Sequence, residues 1–194
     1  MGRQRANTTR FAVLGLLSIR SLSGYDIRQL AKRSIGHFWS ESYGQIYPTL
    51  KQLQKEHLVK SRMERLRGKP DRIVYSLTPN GLLELQRWIK LPARSETLRN
   101  ELLLKLFFCR HAAPSNAIEH VTRHRETHRA LLATYERIEQ ELRQQHARHP
   151  DLPFWLITLN FGKHHSEASL LWCEQTLASL TKTQKQVKRR SSNL

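Results

Sequence analysis

One segment limits the fold more than any other: Ser42-Tyr43-Gly44-Gln45-Ile46-Tyr47-Pro48-Thr49-Leu50-Lys51-Gln52-Leu53. At about 100° per residue, Ile46, Leu50 and Leu53 fall on one side of a helix. Gly44, Pro48, Lys51, Gln52 and Lys55 fall opposite, flanked by Gln45 and Tyr47. Such a helix buries its apolar stripe and leaves a polar, basic face outside. Ser42-x-x-Gln45 has the spacing of a capping box. Pro48 has no amide hydrogen to give the Gly44 carbonyl, so the helix either bends there or starts late. Next comes a hairpin. Leu58 to Leu66 reads as a strand, Gly68-Lys69-Pro70-Asp71 as a turn, and Ile73, Tyr75 and Leu77 alternate with Arg72, Val74 and Ser76 as a returning strand. A helix able to enter a groove, beside a cationic hairpin tip, is the plan of a winged helix-turn-helix domain.

The flanking elements fit that plan. Phe11, Val13, Leu14, Leu16 and Leu17 have helical spacing within Arg10 to Ile19. Ser21 to Gly24 reads as a turn, with Ser23 a candidate N-cap for a second helix from Tyr25 to about Phe38. Ile27, Leu30, Ala31 and Ile35 supply its inner face. Thr78-Pro79 has the form of an N-cap followed by proline at the first helical position. That helix is expected to end near Ile89, with Leu82, Leu85 and Trp88 inward. Leu91-Pro92-Ala93 reads as a linker. Tyr25 and Tyr75 are expected in the core.

The rest reads as wholly helical. Glu96 to His111 is apolar nearly all round, which predicts burial on most sides. Pro114 opens a long helix to about Ala147. Val121, His124, His128, Leu131, Tyr135, Ile138 and Leu142 recur along it at 3,4 spacing, a coiled-coil-like stripe. Pro150 and Pro153 are read as breaks. A last helix, about Phe154 to Lys182, carries Trp155, Leu156, Leu159, Leu170, Trp172, Cys173, Leu177 and Leu180. Apolar surface on two long helices calls for a partner, and a second copy of the chain is the simplest one. The expected dimerisation residues are Val121, Leu131, Tyr135, Ile138, Leu142, Trp155, Leu159, Leu170 and Leu177. The alternative is a self-contained antiparallel hairpin packed on the chain's own first half. The expected organisation is a DNA-binding unit at 1–91 and a helical dimerisation unit at 92–194, mainly α with one small β-hairpin.

Charge narrows the partner. The 194 residues carry 33 Lys and Arg against 16 Asp and Glu, a formal net charge of +17. Residues 1–91 hold 17 basic and 6 acidic side chains. The excess sits in the shorter part and favours a polyanion. Gln45, Lys51 and Gln52 are candidates for base edges, because amides and lysines present hydrogen-bonding groups there. Ser42, Tyr43, Tyr47, Arg65, Arg67, Lys69 and Arg72 are candidates for the DNA backbone. The basic, Ser-rich tail from Lys185 to Leu194 reads as frayed. The N-terminus does not resemble a signal peptide, and no stretch approaches the apolar length of a membrane span. Cys109 and Cys173 read as buried free thiols of a cytoplasmic protein.

Other chemistries find little support. There is no Gly-rich phosphate loop, nucleophile elbow or carboxylate pair in a recognisable setting, so no enzyme and no cofactor is expected. His120, His124 and His128 recur every four residues, and His164-His165 lies on another helix. That spacing suits a metal in principle, but no cysteine or carboxylate joins it, and no metal is expected. Protonation near pH 6.5 adds repulsion across the stripe, which gives a pH-sensing alternative. Trp39, Tyr43, Trp88, Trp155 and Trp172 either line an effector pocket or are plain core. A nucleoid-type protein that binds DNA without sequence preference is the alternative to a regulator.

Four pieces in order resemble the N-terminal domain of PadR-type transcriptional regulators. They are Phe11-Ala12-Val13-Leu14-Gly15-Leu16-Leu17, Ser23-Gly24-Tyr25-Asp26-Ile27, the segment Gly44 to Leu53, and Tyr75-Ser76-Leu77-Thr78-Pro79-Asn80-Gly81. The second half resembles that family's virulence-regulator-like C-terminal domain, most clearly at Arg99 to Phe108. One departure is His57, where the family usually has glycine before the first wing strand. The resemblance implies a two-fold homodimer on double-stranded DNA at a near-palindromic operator. It also implies repression released by a small-molecule effector, with some relatives activating instead.

Overall fold

The structure is a computed structural model that describes residues 2–36, 38–39, 43–65, 71–93 and 99–191, with side chains in the first helix from Thr8 and in the last through Lys182. It forms two compact units, Met1–Ser95 and Glu96–Leu194.

The first unit runs α1 (Gly2–Ile19), β1 (Leu22–Ser23), α2 (Gly24–Ser34), a 3-10 turn (Tyr43–Gln45), α3 (Ile46–Lys55), β2 (Val59–Glu64), β3 (Arg72–Leu77) and α4 (Pro79–Ile89). The three strands pair antiparallel in the order β1-β3-β2. β1 lies inside the segment whose sequence reads as a turn, because two residues are too short to show a period. Only pairing of Leu22 with Tyr75 and Ser23 with Val74 makes them a strand. Leu14, Leu50 and Leu53 are fully buried, and Phe11, Leu17, Ile27, Ile46, Val59, Tyr75 and Leu85 close around them. Each such side chain contributes roughly 1.5–3 kcal/mol relative to exposure.

Local chemistry explains the boundaries. Ser23 caps α2: its Oγ accepts from the Asp26 amide at 3.1 Å, and the Asp26 carboxylate accepts from the Ser23 amide at 3.2 Å. The helix ends at Ser34, four residues earlier than expected, with Gly36 in the turn that follows. Tyr25 is not core: it is 61% exposed, whereas Tyr75 is buried. Leu82 is also exposed, and Trp88, though exposed, stacks on Phe11, with ring centroids 4.7 Å apart.

The second unit contains α5 (Glu101–Phe107), a 3-10 turn (Cys109–His111), α6 (Pro114–Gln145) and α7 (Leu152–Ser191). Asn100 caps α5 through the Leu103 amide at 3.1 Å. The apolar run is not buried within the protomer: Leu103, Leu104, Phe107 and Phe108 are all exposed. Pro153 does not break the chain but lies in the first turn of α7, where an amide hydrogen is dispensable, and the helix continues to Ser191 into the segment expected to fray. α6 and α7 pack on each other as an antiparallel hairpin. His124 meets Trp172, Tyr135 lies against Gly162, and His149 stacks on Trp155.

A candidate nucleic-acid interface on α3 and the β2–β3 wing

α3 presents the surface the sequence indicates, but its start differs. Ile46, Leu50 and Leu53 face the core. Gln45, Tyr47, Pro48, Lys51, Gln52, Gln54 and Lys55 are exposed. The expected capping box begins at Ser42, outside the described residues, and a 3-10 turn, Tyr43–Gln45, precedes the helix. Gln45 is the N-cap residue, has helical backbone angles, and makes no side-chain cap. The helix therefore starts late and Pro48 falls in its first turn, where no backbone acceptor goes unsatisfied for want of a proline N–H. Ser42, Arg67 and Lys69 lie outside the described residues, as does the Tyr43 side chain.

α3 leads into β2 through a left-handed residue. His57 has φ 57°, its amide donates to the Gln54 carbonyl at 3.1 Å, and the Leu58 amide reaches back to the Leu53 carbonyl at 2.9 Å. This is a Schellman ending, built here without glycine. The turn is thus the same kind that glycine would make, at a steric cost of about 1 kcal/mol for the side chain. Thr78 then ties the wing to α4. Its Oγ contacts the His57 and Leu58 carbonyls at 2.8 and 3.0 Å and accepts from the Gly81 amide at 3.1 Å.

The exposed cations are not equivalent. Lys51, Lys55 and Arg65 are exposed. Gln52 is exposed and donates to Glu56 at 2.7 Å, a carboxylate that also pairs with Arg10. Arg72, expected among the free phosphate contacts, is engaged: it bonds Glu64 at 2.6 Å and Asp26 at 3.3 Å. Burial alone would raise the Asp26 pKa. The Ser23 hydrogen bonds and the charges of Arg72 and Arg20 outweigh it and hold the carboxyl below its ordinary value. Two cations on β2 were overlooked. Lys60 and Arg62 are exposed and lie two residues apart, on one face of the strand. Their period-2 spacing was the available signal.

Tyr47 is 57% exposed, with its ring laid over Gly24 at the start of α2. A Cβ added to Gly24 would stand 2.6 Å from Tyr47 Cε1.

In the second unit, the residues expected to face a second copy divide. Val121, Tyr135 and Leu159 are buried within the protomer. Leu131, Ile138, Leu142, Trp155, Leu170 and Leu177 are half-buried. Phe154, Ile157, Phe161 and Leu171 project outward from α7 at helical spacing and are 57–70% exposed. Two of the tryptophans expected either at an effector pocket or in the core lie in this unit. Trp155 packs on His149 and His146, and Trp172 on His124, about 25 Å further along α7. In the first unit Trp39 lines a cavity of about 30 Å³ with Leu16, Ile27, Ala31, Ile35 and Ile46. Small-ligand pockets run to about 300 Å³ or more. Among the described residues no group of three His, Cys, Asp or Glu is placed to hold a metal, and no helix is long and apolar enough to cross a membrane.

A helical core, a three-stranded sheet whose β2–β3 hairpin is the wing, and an outward basic helix define a winged helix-turn-helix protein, followed here by a helical unit. Residues 13–87 match the family described as Transcriptional regulator PadR-like family, and residues 98–181 match Virulence activator alpha C-term. The Negative transcriptional regulator PadR of Bacillus subtilis (strain 168) is 30% identical over 178 residues, covering 89% of this chain and 97% of that protein. The crystal structure of Bacillus subtilis PadR in complex with operator DNA superposes with a TM-score of 0.77, at 30% identity over 89% of this chain and 99% of that one. Its complex with p-coumaric acid gives 0.71, at 28% identity over 91% and 97%. The chain belongs to the PadR-like family of transcriptional regulators, with a Vir-type C-terminal part; the family and these relatives are regulators, not enzymes.

Proposed function

We propose that this chain is a cytoplasmic repressor that binds a near-palindromic operator as a homodimer and is released by a small-molecule effector. The observation that carries this reading is the outer face of α3. Gln45, Lys51 and Gln52 stand exposed on a helix whose other side is sealed into the core, which leaves them for base edges in the major groove. Tyr47 and Arg65, joined by Lys60 and Arg62, serve the phosphates, and Ser42, Tyr43, Arg67 and Lys69 belong to the same proposed set. Residues 1–91 are the DNA-binding domain. Residues 92–194 are the dimerisation domain, whose partner packs on the outward Phe154, Ile157, Phe161 and Leu171 and is flanked by the half-buried residues named above. The relative's complexes with operator DNA and p-coumaric acid support the operator and effector parts of this reading.

Selection of bound sequences from a random DNA pool tests it. The expected product is a two-fold symmetric site with half-sites on the order of 34 Å apart. A pool that remains random under competition favours the nucleoid-type alternative. If the dimer neutralises about 6–10 phosphates, affinity falls by roughly 10³–10⁵ between about 50 and 200 mM salt. A flat salt titration sinks the mechanism. Lys51→Ala relaxes base preference, whereas Arg67→Ala weakens all sequences alike.

A further inference from the structure

Two contacts at the first turn of α2 serve neither the core nor a free cation. One is the Tyr47 ring on Gly24. The other is the chain of charge from Asp26 through Arg72 to Glu64. We infer that this turn positions both DNA-facing elements: Gly24 seats Tyr47 of α3, and Asp26 holds the wing through Arg72, which is a positioning residue and not a phosphate contact. The inference rests on the reading of α3 and the wing as the DNA-binding surface.

The geometry gives each part a reason. Gly24 is buried at the first position of α2, and a methyl there would overlap Tyr47 Cε1 at 2.6 Å and Cζ at 3.0 Å. The ring's far end is free to swing, so alanine displaces the ring and leaves the helices in place. Tyr47 then loses the place from which its hydroxyl meets a phosphate. Arg72 bridges three elements: its Nε donates to Glu64 on β2, its own backbone is in β3, and its Nη1 donates to Asp26 on α2. Asp26 is in turn fixed by the Ser23 amide and by the Ser23 hydroxyl at 2.8 Å. The guanidinium is held by two carboxylates, Glu64 at 2.6 Å and Asp26 at 3.3 Å, and Glu64 also faces Arg62 at 3.9 Å. What Arg72 supplies is the angle of the wing relative to α2.

This differs sharply from a phosphate contact when the acid is removed. Asp26→Asn takes a negative charge away from a DNA-facing surface, which by itself favours a polyanion. If Arg72 touched phosphate, Asp26→Asn would release it and tighten binding, and Arg72→Gln would lower the salt slope of the dimer by about two, one for each protomer. If Arg72 positions the wing, Asp26→Asn and Arg72→Gln each weaken binding by about 3–10-fold, the double variant is no worse than either single, and the slope is unchanged.

The experiment measures operator affinity by fluorescence anisotropy across a salt series, using the full-length chain and the site recovered by selection. The variants are Asp26→Asn, Arg72→Gln, their combination, Gly24→Ala, Tyr47→Ala and the Gly24→Ala/Tyr47→Ala pair. Thermal midpoints are recorded alongside. Arg72→Gln leaves the Ser23 cap of α2 intact and serves as the control for folding. Weakened, non-additive binding with an unchanged slope, and a Gly24→Ala effect that disappears in the Tyr47→Ala background, are the expected results. Tighter binding by Asp26→Asn, a lowered slope for Arg72→Gln, or an equal Gly24→Ala effect without Tyr47 overturns the inference. Wild-type chain that selects no site defeats the functional reading, and this inference with it.

Discussion

The same substitution, glycine to alanine, is expected to act with opposite signs at Gly81 and Gly15. Gly81 lies in the first turn of α4, pressed against the start of the wing. A Cβ there would stand 2.1 Å from the Leu58 carbonyl oxygen, 2.8 Å from Leu77 Cδ1 and 3.0 Å from the Leu58 carbonyl carbon. Relief requires α4 and β2 to part by about 1 Å, because real contacts of this kind stay above roughly 3 Å. That movement stretches the Thr78 amide bond to Leu58 at 3.1 Å and the Thr78 hydroxyl contact at 3.0 Å. Each is worth about 1 kcal/mol, and the N-cap from Thr78 to the Gly81 amide about 1 more. Alanine returns roughly 0.5–1 kcal/mol of helix propensity. The net loss is about 2 kcal/mol. If the first unit melts on its own, that lowers its midpoint by roughly 8–16 °C. At Gly15, within α1, an added Cβ has nothing within 4 Å, so Gly15→Ala should stabilise by roughly 0.5–1 kcal/mol. Urea unfolding followed by circular dichroism, with calorimetry for the midpoint, measures both. A Gly81→Ala midpoint equal to wild type would refute the argued closeness of α4 to the wing.

Three further substitutions and conditions follow from the geometry. His57→Gly removes the side chain from a left-handed position, and should raise stability by about 0.5 kcal/mol after the extra flexibility of unfolded glycine is deducted; a lower urea midpoint would show that the imidazole makes a contact worth more than the strain. Ser23→Ala removes the α2 cap and should cost about 1 kcal/mol, read from the same urea curves, whereas no change would mean that Asp26 alone suffices. In the second unit, His128 is buried with Nδ1 3.3 Å from Ser166 Oγ, and its ring lies 4.4 Å from His124 and 5.5 Å from His165. Desolvation, together with the neighbouring histidines, pushes His124 and His128 below their ordinary value. The unfolded chain therefore takes up these protons first as pH falls. The stability from neutral histidines is fully present above about pH 6.5 and is lost progressively below it. The thermal midpoint should fall between pH 7 and 5, and His128→Asn should flatten that fall; an unchanged pH profile in the variant would remove the cluster as its cause.

Periodicity in the sequence was enough to place the inner face of α3 and most of the core side chains of α1 and α2, but not Tyr25 or Leu82, which are exposed. Ile46, Leu50 and Leu53 had to share a face, and Thr78-Pro79 had to start a helix, because helix geometry and capping depend only on neighbours a few residues away. The exposure of Gln45, Lys51 and Gln52 followed from the same spacing. Other features needed distant partners. β1 exists because Tyr75 and Val74 lie beside it, and Pro48 is tolerated because the turn before α3 delays the helix. Arg72 meets Asp26, 46 residues away in sequence, only because α2 folds against the sheet. The α6 stripe showed that an apolar seam exists, but not which helix fills it, since a hairpin partner and a second copy bury the same 3,4 pattern equally well. Local rules fix which faces are apolar, and only the path of the chain decides what covers them.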